Sequence, residues 1–199
     1  IYFNRDLYIL PRMPVPERTS GWEVAVFDDA GTLILVHEGE GLLPPRIIWN
    51  GFISGKEKAP DGRYRVMVRA WDMAGNLGEA EKPVNLRSDS PLISFTVEKM
   101  AKSITLEMEN ETRYPMDFWF IKVYRKSGAL VAMEVGEELP PALEIQLPDL
   151  AEEEKLELIF AGQDLYGNRT YQTVDDLFNL ASAEVEQEFI PESQWLESF

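Results

Sequence analysis

A degenerate internal repeat constrains this chain more than any other feature. Trp22-Glu-Val-Ala-Val-Phe-Asp-Asp-Ala-Gly31 aligns with Trp119-Phe-Ile-Lys-Val-Tyr-Arg-Lys-Ser-Gly128 at an offset of 97. An apolar stretch follows each copy and leads to Leu43-Pro44-Pro45 and Leu139-Pro140-Pro141, at an offset of 96. Further on, the segments Arg63–Asn76 and Lys155–Asn168 align at an offset of 92, each ending in Gly-Asn. Order, spacing and turn residues all recur, so the chain is expected to hold two copies of one structural unit.

Within each unit the apolar period is two. Trp22, Val24 and Val26 alternate with Glu23 and Ala25, and Tyr64, Val66, Val68 and Ala70 alternate with Arg63, Arg65, Met67 and Arg69. In the second copy Phe120 and Lys122 flank Ile121 and Val123, while Leu156, Leu158 and Phe160 alternate with Glu157 and Ile159. This is the pattern of half-buried strands rather than helices. Asp28 with Gly31, Asp61 with Gly62, Asp72 with Gly75 and Asn76, Gly128, and Asp164 with Gly167 and Asn168 are turn residues. Asp accepts backbone N–H bonds through its side chain, and Gly tolerates the positive φ that closes a hairpin.

The coarse layout places strands near 2–10, 22–28, 32–37, 45–49, 63–72 and 77–86, then a linker over Arg87–Pro91. A second set is expected near 92–98, 103–109, 118–124, 129–134, 142–147, 154–163 and 169–174. About seven short strands per unit predict an all-β chain of two tandem immunoglobulin-like or fibronectin III-like β-sandwiches. The predicted boundaries are 1–88, where the proline-punctuated first 20 residues leave room for a missing strand, and a more acidic 89–178. Residues 179–199 form an acidic C-terminal segment or the start of a further domain. At 199 residues the chain has the length for two domains of about 100.

Composition narrows the function classes. Apolar residues make up 45% of the chain and aromatic ones 11%, too much for a disordered polymer. The net charge of −16 is unevenly spread: residues 1–88 carry 11 Lys and Arg against 12 Asp and Glu, residues 89–199 carry 8 against 23. An acidic half repels phosphate backbones and anionic lipids, which argues against nucleic acid and membrane-surface partners and leaves a basic protein surface as the complementary one. Cysteine is absent and there is one histidine, so neither disulfides nor a thiolate metal site is expected. No stretch approaches the roughly 20 apolar residues of a membrane-spanning helix. The chain starts at Ile1 rather than Met, and it is expected to be a processed piece of a larger polypeptide or assembly.

Residues 22–86 resemble a bacterial immunoglobulin-like domain of the flagellar hook-capping-protein type. The residues that carry the resemblance are Trp22–Phe27 leading to Asp28-Asp-Ala-Gly31, Ile48-Trp49-Asn50-Gly51, Gly55, Pro60-Asp61-Gly62-Arg63-Tyr64 and Ala70-Trp71-Asp72-Met-Ala-Gly75-Asn76. The family more often has Asp at position 50. In residues 92–174 Gln146-Leu-Pro-Asp149 replaces the Trp-containing segment and Glu152-Glu153-Glu154-Lys155 replaces the Asp-Gly-Arg-Tyr turn, so membership there rests on the repeat. The resemblance implies a spacer, docking or assembly module of the periplasm or cell surface, with no catalytic residues and no cofactor.

Each candidate for chemistry has a structural explanation. His37 ends an apolar strand with no nucleophile elbow or metal-spaced carboxylate beside it, and is read as a structural or surface residue. Asp72 and Asp164 precede Gly-Asn in both units and are read as scaffold; calcium needs about six oxygens, and no Asp-x-Asp-x-Asp-Gly loop occurs. A glycosidase needs two carboxylates held about 5–9 Å apart, but 35 acidic residues make any sequence pair uninformative. Trp22, Trp49, Trp71 and Trp119 are read as core, with an exposed sugar-stacking platform as the alternative. The candidate partner-binding residues are Glu152, Glu153 and Glu154, a solvated acidic turn, and Trp195, in a segment of five Glu without Lys or Arg that still carries Val185, Phe189, Ile190, Leu196 and Phe199. The expected function is a non-enzymatic spacer or assembly module making protein contacts in a bacterial envelope or surface protein. The alternative is a carbohydrate-binding accessory module of an envelope enzyme.

Overall fold

A computed structural model describes residues 1–14, 16–100, 102–112, 114–147 and 155–180, and the backbone of 185–187. The chain divides into two compact units, Ile1–Asp89 and Ser90–Phe199. Each is a β-sandwich with its own core.

The first unit holds β1 (Tyr2–Phe3), β2 (Leu7–Ile9), a 3₁₀ turn at Pro16–Arg18, β3 (Thr19–Asp28), β4 (Leu33–Glu40) and β5 (Ile47–Trp49). The short pair β6 (Phe52–Ile53) and β7 (Glu57–Lys58) precedes β8 (Gly62–Asp72) and β9 (Leu77–Leu86). One sheet has the order β1-β9-β8-β3-β4 and faces the two-stranded β2-β5. The core between them contains Leu7, Val24, Val26, Ile47, Trp49, Tyr64, Val66, Val84 and Leu86. Trp49 is fully buried, its Nε1 donates to the Phe52 carbonyl at 3.0 Å, and its ring meets Tyr64 edge-on at 4.9 Å. Tyr64 at the start of β8 donates its hydroxyl back to the Pro60 carbonyl at 2.5 Å, a tyrosine corner that locks the loop before the strand. Burial pushes the Tyr64 phenol above its ordinary range.

The second unit holds β10 (Ile93–Lys99), β11 (Ser103–Asn110), β12 (Met116–Arg125), β13 (Leu130–Gly136), β14 (Ala142–Gln146), β15 (Leu156–Asp164), β16 (Arg169–Val174) and β17 (Val185–Gln187). A three-stranded sheet β10-β11-β14 faces a five-stranded β13-β12-β15-β16-β17. Between them lie Ile93, Ile104, Leu106, Trp119, Ile121, Val123, Ile145, Leu156, Leu158 and Phe160. Each fully buried side chain of this size stabilises the fold by about 1.5–3 kcal/mol relative to exposure.

The strand expected over residues 2–10 is two strands. Tyr2–Phe3 runs parallel to β9 in one sheet, and Leu7–Ile9 runs antiparallel to β5 in the other. The three residues between them, Asn4, Arg5 and Asp6, carry the chain across the sandwich, and Pro11 and Pro14 stop β2 from extending. The expectation that β12 and β15 are half-buried also fails. Phe120 and Ala161, on the face turned away from the main core, are 1% and 0% exposed and form a second apolar cluster with Phe118, Ile159 and Tyr171. Ala25 and Met67, read as lying on the polar face of their strands, are also buried, because cross-strand neighbours shield short or flexible apolar side chains on that face.

Candidate functional site

Four hairpins share one geometry. At Asp28–Gly31, Asp72–Gly75, Arg125–Gly128 and Asp164–Gly167 the glycine N–H donates to the carbonyl three residues earlier, at 2.8–3.1 Å. Those glycines have φ of 84–86°, as a type I turn with a glycine bulge requires. Three of the four begin with Asp. The Asp72 carboxylate accepts from the backbone N–H of Ala74 (2.9 Å) and Asn76 (2.8 Å) and from Asn76 Nδ2 (2.8 Å). Asp164 accepts the same set from Tyr166, Asn168 and Asn168 Nδ2, each at 2.9 Å, and is completely buried. Asp28 accepts from Thr32 N–H at 2.7 Å. The bonds from Asn76 hold the Asp72 carboxyl below its ordinary range, and that from Thr32 does the same for Asp28. Asp61 is different in detail: its carboxylate reaches past the turn at Gly62 to Ser88 N–H (2.7 Å), Ser88 Oγ (2.9 Å) and Asp89 N–H (3.3 Å), tying down the end of the unit.

These carboxylates are committed to backbone donors, and the chemistry of a binding site has to come from elsewhere. His37 is exposed on β4. Among the described residues no group of three or more His, Asp and Glu is placed to hold a metal ion. Trp49 and Trp119 are buried, Trp22 and Trp71 are half-buried, and no exposed tryptophan platform is formed by these four. Glu152, Glu153, Glu154 and Trp195 lie outside the described residues. No described helix is long and apolar enough to cross a membrane.

The surface that stands out was not singled out from the sequence. It is an apolar groove of about 460 Å³ in the first unit, between β2 with the following Leu10–Pro14 and the inner faces of β8 and β9. Val66, Val68 and Ala70 form its floor on β8, and Gly78, Ala80, Lys82 and Val84 on β9. The strand pairing explains why it is open. Val66 faces Lys82, Val68 faces Ala80 and Ala70 faces Gly78 across the β8–β9 ladder. The same rungs in the second unit are Leu158 with Val174, Phe160 with Gln172 and Gly162 with Thr170. There the β16 residues are 0–2% exposed, whereas Gly78, Ala80 and Lys82 are exposed.

What makes the difference is β10. It pairs with β11 along seven residues and lies over the β15–β16 face, where Phe95 meets Phe160 edge-on at 5.8 Å. Gln172 grips its start, accepting from Ile93 N–H and donating to the Ile93 carbonyl, both at 2.9 Å. In the first unit β2, the counterpart of β11, pairs among the described residues with β5 alone. The residues just before it, Tyr2 and Phe3, go to the far edge of β9 instead, held by Asn85 N–H to the Ile1 carbonyl (2.8 Å) and Arg87 N–H to that of Phe3 (2.9 Å). The sequence signal was that Tyr2 and Phe3, just before β2, do not repeat the alternation of β10, which the proline-punctuated first 20 residues obscured.

The outer faces of the two large sheets also differ. In the first unit Glu23, Arg69 and Glu79 form a row of ion pairs, Arg69 to Glu79 at 2.6 Å and to Glu23 at 3.5 Å. The same row in the second unit is Phe120, Ala161 and Tyr171.

The sequence matches no family model and no curated protein. Among solved structures, similar folds include a tandem repeat from the extending region of a large adhesion protein, 13% identical with a TM-score of 0.37 over 85% of this chain and 47% of that one. A two-domain fibronectin type III segment of chicken tenascin is 12% identical with a TM-score of 0.39, over 87% and 93%. A bacterial ice-binding adhesin is 14% identical with a TM-score of 0.46, over 78% and 51%. The chain spans about half the length of the adhesin structures it resembles. The strand order and register within each unit identify it as an all-β chain of immunoglobulin-like or fibronectin III-like sandwiches.

Proposed function

We propose that the chain is a non-catalytic module that makes protein–protein contacts within a bacterial envelope or surface protein, of the immunoglobulin-like type met in the hook-capping protein. The observation that carries this reading is the groove beside β2. One unit closes this position with its own strand and the other leaves it open with apolar walls. Open sheet edges next to apolar pockets are a standard docking mode for polypeptide, since the backbone supplies affinity and the pockets supply selectivity. The acidic charge of residues 89–199 supports a second, electrostatic contact with a basic protein surface. A periplasmic or cell-surface location belongs to the same proposal.

Crosslinking of the tagged protein in its native cells, followed by mass spectrometry, tests this reading. The expected result is a defined set of envelope proteins with crosslinks mapping to this chain. Recovery of glycan alone, or of no protein above background, overturns it.

A further inference from the structure

We infer that the groove of the first unit is an acceptor for one extended β-strand supplied by another protein, laid antiparallel to β2, apolar at alternate positions and acidic in between. This rests on the protein-contact reading and specifies its ligand.

The template is inside the chain. In the second unit Leu106 and Ile104 of β11 pair on one side with Leu143 and Ile145 and on the other with Val97 and Lys99 of β10. In the first unit Ile9 and Leu7 of β2 pair with Ile47 and Trp49 in the same arrangement, and β2 has no described partner on its other side. A strand placed there would project alternate side chains onto Val68, Ala80 and Gly78, as Phe95 of β10 projects onto Phe160. These floor residues are smaller than their counterparts Phe160, Gln172 and Thr170, which leaves room for larger incoming side chains. Exposed Tyr8 and Leu10 flank the edge and would gain apolar contact from such a strand.

The sign of the ligand follows from the rim. Lys82 stands on the core-facing side of β9 opposite Val66, at a position that in the second unit is the fully buried Val174. Arg12 lies on the β2 side of the same groove. Glu79 is engaged by Arg69 at 2.6 Å, so the two cations set the local field. Both side chains are exposed, and their long stems would carry the charges to the rim, where they would pair with the carboxylates between the strand's apolar positions. Among the described strands, β1 is engaged with β9 and β10 with β11, so neither of these fills the groove.

The test uses the full chain and a fluorescent synthetic peptide with the sequence of residues 92–99, in its native form and with Thr96→Glu, which adds a carboxylate between the apolar positions, read by fluorescence anisotropy. The expected result is saturable one-to-one binding, tighter for the more acidic peptide and weakened at least tenfold by Val68→Trp, which fills the groove. Lys82→Glu, at an exposed position that leaves the core intact, is expected to abolish the preference for the acidic form. Gln172→Ala should leave binding unchanged, which separates the groove from strand exchange in the second unit. No saturable binding, or binding indifferent to both Val68→Trp and Lys82→Glu, overturns the inference. So does concentration-dependent self-association that these two variants abolish, since the occupant would then be a second copy. Crosslinked partners that persist in both variants would overturn the acceptor groove while leaving the protein-contact function standing.

Discussion

The indole of Trp119 lies against its cross-strand partner Gly136 so closely that a Cβ on Gly136 would sit 2.7 Å from Trp119 Cζ2. Trp22 and Gly39 repeat the relationship in the first unit, at 2.6 Å. Both pairs are separated by the same stretch of chain, so the repeat preserved a ring packed flat on bare backbone. Neither glycine has a positive φ, and the requirement is therefore one of space alone.

Gly136→Ala is expected to cost about 1–3 kcal/mol in chemical denaturation, the range of an overpacked core. Trp119 is 4% exposed and its Nε1 is fixed on the Glu138 carbonyl at 2.9 Å, so the ring has little freedom to move aside. Trp22 is half-buried, and Gly39→Ala should cost less. In a Trp119→Phe background the penalty of Gly136→Ala should shrink, and a double-mutant cycle would measure that coupling. An unchanged penalty would place its origin in the backbone.

Asp164 and Asp72 make the same three hydrogen bonds, but Asp164 is completely buried and Asp72 is not. Asp164→Ala leaves buried donors that water reaches poorly, and a loss of about 2–4 kcal/mol is expected. Asp72→Ala should destabilise measurably less, because solvent replaces the lost acceptor. Equal losses in calorimetry of the two variants would contradict the role given to burial.

Stability should fall in acid through Asp72 and Asp28. Both carboxyls are held below their ordinary value of 3.8, Asp72 by Asn76 and Asp28 by Thr32. A group whose folded pKa is lowered stabilises the fold above the unfolded pKa, and that contribution is lost as pH falls through the folded one. Melting temperatures of the wild type and of Asp72→Asn are therefore expected to differ most above pH about 4 and to converge below it. A gap that widens in acid would reverse the sign.

Gln172→Ala removes both bonds that hold the first residue of β10. The expected consequence is faster hydrogen exchange at the Ile93 amide and a loss of about 1–3 kcal/mol, since a buried N–H and carbonyl lose their partners. Exchange at amides of the first unit should not change.

Features written in consecutive residues are legible in the sequence. The repeat, the Asp-to-Gly hairpins and the alternation in β3 and β8 each depend on neighbours a few positions apart. What escaped notice depends on pairing across strands. Gly39 and Gly136 look like ordinary strand residues until register sets each beside a tryptophan. The second apolar face of β12 was present as Phe118, Phe120 and Ile121, apolar at both parities, but the polar pattern of the first unit was carried over to it. The groove depends on Gly78, Ala80 and Lys82 standing where the second unit has Thr170, Gln172 and Val174, a difference that only the pairing with β8 turns into an opening.

The parallel course of β1 beside β9 also has a mechanical meaning. A pull toward the chain start acts on β1, and a pull through the linker acts on the Leu86 end of β9. Because the two strands point the same way, opposing tension would slide one along the other rather than peel them apart. The bonds from Asn85 and Arg87 would then be strained together, not in succession. A hairpin in the same place would open like a zipper, whereas this clasp resists as a shear joint.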